Sequence, residues 1–192
     1  MLNNNTIYNK LIVCLLISVL GFSPMTIDNP KVGQVIDSLN GVSIRYNGPM
    51  HHVAGRNLTP DGYNLGLKWQ CVEFVKRYYY ERFGHKMPNS YGHAKDFFNK
   101  KLSHIEYNKA RDLIQYLNVK YSKPEVDDIV VYDESEHNPY GHIGIIAEVG
   151  ADHIILAQQN VGRKSRVKLK LVEFEGIYTI ADFNILGWLR LK

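Results

Sequence analysis

The stretch KWQCVEFVKRYYYERFG, Lys68 to Gly84, carries one cysteine, Cys71, and a later apolar run, HIGIIAEV, opens with His142. A thiol attacks strongly only as its thiolate, and an imidazole can take its proton. A Cys and a His brought together can therefore attack an amide carbonyl and hold the acyl group as a thioester. An imidazolium beside the sulfur and a helix N-terminus behind it can lower a thiol pKa from about 8.5 to roughly 3.5–7.5. Cys71 stands at the start of a helical pattern, where such a field acts. The competing reading is packing, because a cysteine on an aromatic-rich helix is most often a small core residue.

An imidazole that serves as base needs its far nitrogen held in one tautomer. The run HIILAQQN, residues 153–160, follows the His142 run through the turn Gly-Ala-Asp at 150–152. Antiparallel pairing across that turn brings the end of the second strand beside His142, and alternation puts Gln158 and Asn160 on one side. Gln158 is the residue chosen to orient the ring: its amide oxygen can accept the imidazole proton, although it lacks a carboxylate's charge.

Those side chains need a helix and a sheet to present them. Cys71, Phe74, Val75, Tyr78 and Tyr79 recur at helical spacing on one face, with Glu73, Lys76, Arg77, Tyr80 and Glu81 opposite, and Gly84 ends the pattern. Ser90 followed by YGHAKDFFNKK predicts a second helix. Beyond Pro124 the pattern is one of strands: 128–133, 142–149, 153–160, 165–174 and 185–191, rich in β-branched residues and punctuated by Gly, Asn and Asp. Earlier, Asn-Gly pairs at 40–41 and 47–48 mark turns between short strands, with loops from Pro49 to Gly66. A helix bearing the cysteine followed by an antiparallel sheet bearing the histidine is an α+β arrangement.

Composition narrows the setting. The chain has 192 residues, 45% hydrophobic and 22% charged, so one ordinary core accommodates it. Its net charge of +4, from 23 basic against 19 acidic residues without a dense basic cluster, argues against nucleic acid as a partner. Lys10 and the apolar run Leu11 to Phe22 read as an export signal over residues 1–24, a leader or N-terminal anchor. The run is shorter than the roughly 20 residues of a spanning helix, which favours cleavage, with only transient membrane association through 11–22. The expected location is secreted or periplasmic. Cys14 lies within the run, so Cys71 would be the one cysteine of an exported chain, where an unpaired thiol is a liability unless buried or used. Residues 31–192 carry no repeat or linker and form one unit. The adjacent His51 and His52 have no supporting ligand pattern, so neither a metal nor a cofactor is expected. The basic residues of GRKSRVKLK read as the solvent face of a strand.

Taken together, LKWQCVEFVKRYYYERFG, GHIGIIAEV, ILAQQNV and ILGWLRL resemble the CHAP family of cysteine- and histidine-dependent amidohydrolases and peptidases, within it most nearly the amidase domain of glutathionylspermidine synthetase/amidase. The resemblance runs from about Gly33 to Leu191, and four motifs in one order are far more specific than any alone. It implies a papain-like α+β fold of the NlpC/P60-CHAP type, with the Cys helix packed on the sheet that carries His. It also implies Cys71 as nucleophile, His142 as base and Gln158 as orienting residue. By the same analogy the Cys71 N–H and the Gln70 side chain are candidate oxyanion donors, with Asn160 beside them as a substrate-binding candidate. The chain departs from the pattern where the family member has Glu at the position of Gln158, where Lys76-Arg77 replaces an Arg-Arg pair, and at Asp127, where many members have Gly. Three activities stay open: hydrolysis of peptidoglycan peptide or amide bonds, which export favours; amidase action on glutathionylspermidine or similar γ-glutamyl conjugates; and a degenerate domain that binds without cutting.

Overall fold

In a computed structural model, residues 29–192 are described. The expected leader at 1–24 and Cys14 lie outside the described residues.

Among the described residues the order of elements is two small hairpins, one α-helix and a large sheet. Strands β1 (Val35–Leu39) and β2 (Val42–Arg45) turn at Asn40-Gly41, whose φ values of 48° and 85° are those an Asn-Gly hairpin turn requires. Strands β3 (Arg56–Leu58) and β4 (Asn64–Leu67) form a second hairpin where the sequence suggested only loops. Helix α1 (Cys71–Phe83) follows. Then come β5 (Glu106–Asn108), β6 (Leu113–Leu117), β7 (Ile129–Tyr132), β8 (His142–Val149), β9 (His153–Ala157), β10 (Arg166–Phe174), β11 (Ile177–Ile180) and β12 (Ile185–Arg190). These eight pair antiparallel in the order β11-β10-β9-β8-β7-β12-β6-β5. The molecule is thus α+β.

Helix α1 stops at Gly84, which takes φ 64°; its N–H bonds the Tyr80 carbonyl at 3.0 Å and the next N–H, from His85, reaches Tyr79 at 3.1 Å. That pair of bonds caps the helix in the way a left-handed glycine permits. The helix packs on β8, β4 and β2. Phe74, Val75, Tyr78 and Tyr79 enter the core as their spacing predicts, but Glu73, Lys76 and Arg77 are buried as well. The β3–β4 hairpin covers that side closely: a Cβ on Gly66 would lie 3.1 Å from the Glu73 Cα.

The helix predicted after Ser90 does not form; only a 3-10 turn, Lys95–Phe97, is present. Gly92 has φ 114°, outside any right-handed helix. The carbonyls that would accept helical bonds are taken by buried cations instead: Ser90 by Lys76 Nζ at 2.8 Å, Tyr91 by Arg111 Nη1 at 3.3 Å and Asp96 by Arg111 Nη2 at 2.9 Å.

Two cores follow from strand alternation. Ile129, Val131, Ile143 and Ile145 face α1, while Val130, Ile146, Ile154, Leu156, Leu171, Ile180 and Trp188 pack on the other side. Asn118, just past β6, accepts the Ile180 N–H and donates to the Ile180 carbonyl, both at 3.0 Å, and Lys120 bridges Tyr178 on β11. These contacts draw the margins of the sheet together around the second core. On β10, Arg166, Lys168 and Lys170 are exposed while Leu171 is buried, so this basic run is a solvent face.

Asp127 takes φ 74°, a conformation natural to glycine, the residue that the resemblance led one to expect here. Here its carboxylate accepts the Tyr78 hydroxyl and its carbonyl accepts Tyr79 at 2.7 Å.

Candidate active site

Cys71 is the first residue of α1, and Gln70, with φ −79° and ψ 164°, is its cap residue without a side-chain capping bond. First-turn N–H groups have no partner within the helix. Here the N–H groups of Ile143, at the start of β8, of Val72 and of Cys71 itself lie near enough to the sulfur to favour its thiolate. The thiol therefore rests against the strand that His142 begins, and it is 8% exposed.

His142 opens β8 opposite Tyr132 of β7, with the two rings 5.8 Å apart. Its Nε2 lies 3.0 Å from Gln158 Oε1. The amide orientation is set from its other end, because Gln158 Nε2 donates to the Lys164 carbonyl at 3.2 Å. An amide oxygen can only accept, so the proton of neutral His142 sits on Nε2 and Nδ1 is left as the basic nitrogen.

Burial pushes the Cys71 thiol up, against the three N–H groups that favour the thiolate. Burial likewise pushes His142 down, against the Gln158 bond that favours imidazolium. Both shifts favour the neutral partners over the ion pair that an imidazolium and a helix N-terminus suggest from sequence. The sequence could not show the burial. The reactivity of Cys71 toward iodoacetamide is therefore expected to climb with pH through and beyond the free-thiol midpoint of about 8.5. A plateau already reached below pH 7 would show a resting thiolate and overturn this assignment.

Gln70 and Asn160 meet, but they do so around a loop. Asn160, at φ 68°, donates to Gln70 Oε1 at 2.6 Å and accepts from Asn47 Nδ2 at 2.7 Å. Gln70 Nε2 donates to the His52 carbonyl at 2.8 Å. A substrate oxyanion would have to compete with that carbonyl for the Gln70 amide.

Three residues that sequence reasoning missed tie these parts together. Gln159 Nε2 donates to Glu73 Oε2 at 2.8 Å and to the Gln70 carbonyl at 3.0 Å, while its Oε1 accepts the Arg45 N–H at 2.7 Å. Glu73 is fully buried and also accepts from Arg77 Nε at 2.6 Å and Asn57 Nδ2 at 2.8 Å. Asn47 accepts the Trp69 N–H at 2.9 Å. The available signal was three successive amides, 158–160, just past the end of β9, where the first turns to His142 and the other two to the start of the helix. Among the described residues, no group of three His, Cys, Asp or Glu side chains could hold a metal ion.

This chain belongs to the CHAP domain family, whose family model matches residues 62–160. That family implies an amidohydrolase or peptidase. The chain is similar to trypanothione synthetase of Crithidia fasciculata, with 33% identity over 69% of this chain and 21% of that protein. It is also similar to the bifunctional glutathionylspermidine synthetase/amidase of Escherichia coli (strain K12), with 28% identity over 70% of this chain and 23% of that one. The matched region is thus about a fifth of each relative's length. The crystal structure of Ly7917 overlaps 64% of this chain and 53% of its own at 17% identity and a TM-score of 0.34, a likeness too slight to bear on the fold.

Proposed function

We propose that this chain is a thiol-dependent amide hydrolase with a papain-like arrangement of Cys71, His142 and Gln158, acting on peptide or amide bonds of peptidoglycan outside the cytoplasm. The observation that carries this reading is the His142 Nε2 to Gln158 Oε1 bond of 3.0 Å, with the amide fixed by Lys164, on a strand whose next residue, Ile143, favours the Cys71 thiolate through its N–H. That arrangement leaves Nδ1 as the base. The proton passes from Sγ to Nδ1 as sulfur attacks the carbonyl carbon, giving a tetrahedral oxyanion within reach of the Cys71 N–H. The imidazolium then protonates the leaving nitrogen, the C–N bond breaks and a thioester remains. Water, deprotonated by the same imidazole, attacks the thioester carbonyl, and the returned proton frees the thiol. Gln158 supports this cycle by orientation, and being uncharged it stabilises the imidazolium less than a carboxylate would.

The wall substrate rests on the export signal read from residues 1–24. A second reading, amidase action on glutathionylspermidine-type conjugates, is favoured by the relatives that carry that name. Incubating the full chain with purified peptidoglycan and, separately, with glutathionylspermidine, and weighing the products, separates them. Wall fragments with new amine and carboxyl ends are the expected result. Release of spermidine without wall fragments would transfer the assignment to the conjugate, and inertness toward both would leave a binding domain.

A further inference from the structure

Gln159 does not reach the reacting atoms, yet it holds the peptide group that joins Gln70 to Cys71. Its Nε2 donates to the Gln70 carbonyl at 3.0 Å, closer than the 3.3 Å bond which that carbonyl accepts from the Phe74 N–H of the helix, and the N–H at the other end of the peptide belongs to Cys71. A peptide unit is planar, with its C=O and N–H pointing in opposite directions, so a bond that fixes one fixes the aim of the other. A hydrogen bond accepted by the carbonyl also polarises the unit and strengthens its N–H as a donor.

The grip is itself held firmly. Gln159 is 1% exposed, and its three hydrogen bonds reach two elements: the β2 backbone at Arg45, and the start of α1 at the Gln70 carbonyl and the Glu73 carboxylate. Arg77 and Asn57 hold Glu73 in turn. Gln159 is also the chain neighbour of Gln158, whose side chain orients His142. One dipeptide thus fixes the base through its first side chain and the Cys71 peptide through its second.

We infer that Gln159 is a positioning residue that aims and strengthens the Cys71 N–H toward the oxyanion, coupling the His142 side of the site to the helix that bears the nucleophile. This inference rests on the hydrolase reading. It requires the bond to matter in the tetrahedral state more than in the bound substrate, because only there does the oxygen carry a full charge.

The test compares the full chain with Gln159→Leu, which keeps the approximate volume and removes both donors, and with Gln159→Glu, which keeps an acceptor but sets a carboxylate against Glu73. Each protein is assayed on soluble muropeptides and alkylated with iodoacetamide across pH. Alkylation passes through no oxyanion, so a positioning role disturbs it far less than it disturbs kcat. The expected result is a fall in kcat of about 10- to 100-fold at nearly constant KM, since displacing one oxyanion donor is milder than removing it. The pH profile of Cys71 alkylation in the folded variants should move little, because the Cys71 N–H is the smallest of the three backbone groups that favour the thiolate. Unchanged kcat in Gln159→Leu overturns the inference, as does a parallel loss of kcat and alkylation, which marks a merely structural residue. If the parent itself is alkylated but cuts no amide, the hydrolase reading falls and this one with it, an outcome distinguished by appearing before any variant is made.

Discussion

Cys71→Ala is expected to reduce amide hydrolysis by about 10⁴-fold or more, because the covalent step has no substitute nucleophile in the site. Water bound in its place would meet the same neutral imidazole but without a thiol's nucleophilicity or its thioester intermediate. His142→Ala should fall by a similar factor, and the double variant should be no slower than either single one, since nucleophile and base act as a unit. The stability readout separates chemistry from packing. Removing the one buried sulfur and leaving a methyl side chain loses few contacts, so the melting temperature should move by only a few degrees, an effect of about 1 kcal/mol. Product release from muropeptides, followed by mass and normalised to folded protein, is the measurement. Residual turnover within tenfold of the parent would remove Cys71 from the mechanism.

What the sequence disclosed about this site depends on how local each cause is. The His142 strand has the bounds of its apolar run, residues 142–149, because alternation and a preceding turn are written in adjacent residues. The neighbourhood of His142 and Gln158 follows from the same rule, since a short turn between two antiparallel strands leaves little freedom in what their ends meet. The start of α1 was readable from spacing, yet its cap was not: Gln70 has a poor capping side chain, and its amide is held by a loop and by Asn160, distant in sequence. The helix after Ser90 was a misreading with a specific cause. Propensity favoured it, but the buried cations Lys76 and Arg111 capture the carbonyls of Ser90, Tyr91 and Asp96 that it needed. The direction of the thiol shift and the part played by Gln159 share that character, for burial and long-range partners are products of the completed fold.

Arg190→Met should cost about 3–5 kcal/mol of folding stability, a large share of the roughly 5–15 kcal/mol that holds a domain of this size together. Asp128, at the start of β7, is fully buried, and Arg190 at the end of β12 grips it with Nε to Oδ1 at 2.7 Å and Nη2 to Oδ2 at 2.8 Å. The same guanidinium donates to the Lys123 carbonyl at 3.0 Å and lies 4.6 Å over the Tyr116 ring. Methionine fills part of the volume but leaves the carboxylate with only the Glu125 N–H, at 2.7 Å. Burial already pushes Asp128 up to about 6 even with Arg190 pulling it down. A folded pKa above the unfolded value means that this group's contribution is complete below about pH 4 and lost as pH rises through about 6. Without Arg190 the folded pKa climbs further, so the decline continues past pH 6 and the deficit of the variant widens toward neutral pH. Urea titrations at pH 5 and pH 7.5 should show the larger gap at pH 7.5. Adding Asp128→Leu to Arg190→Met removes the stranded charge and should recover much of the loss, as paired apolar replacements of buried ion pairs do. A single variant within about 0.5 kcal/mol of the parent at both pH values would mean that Asp128 finds another partner, and the clamp between β7 and β12 would not be what secures the strand leading to Tyr132 and, across the pairing, to His142.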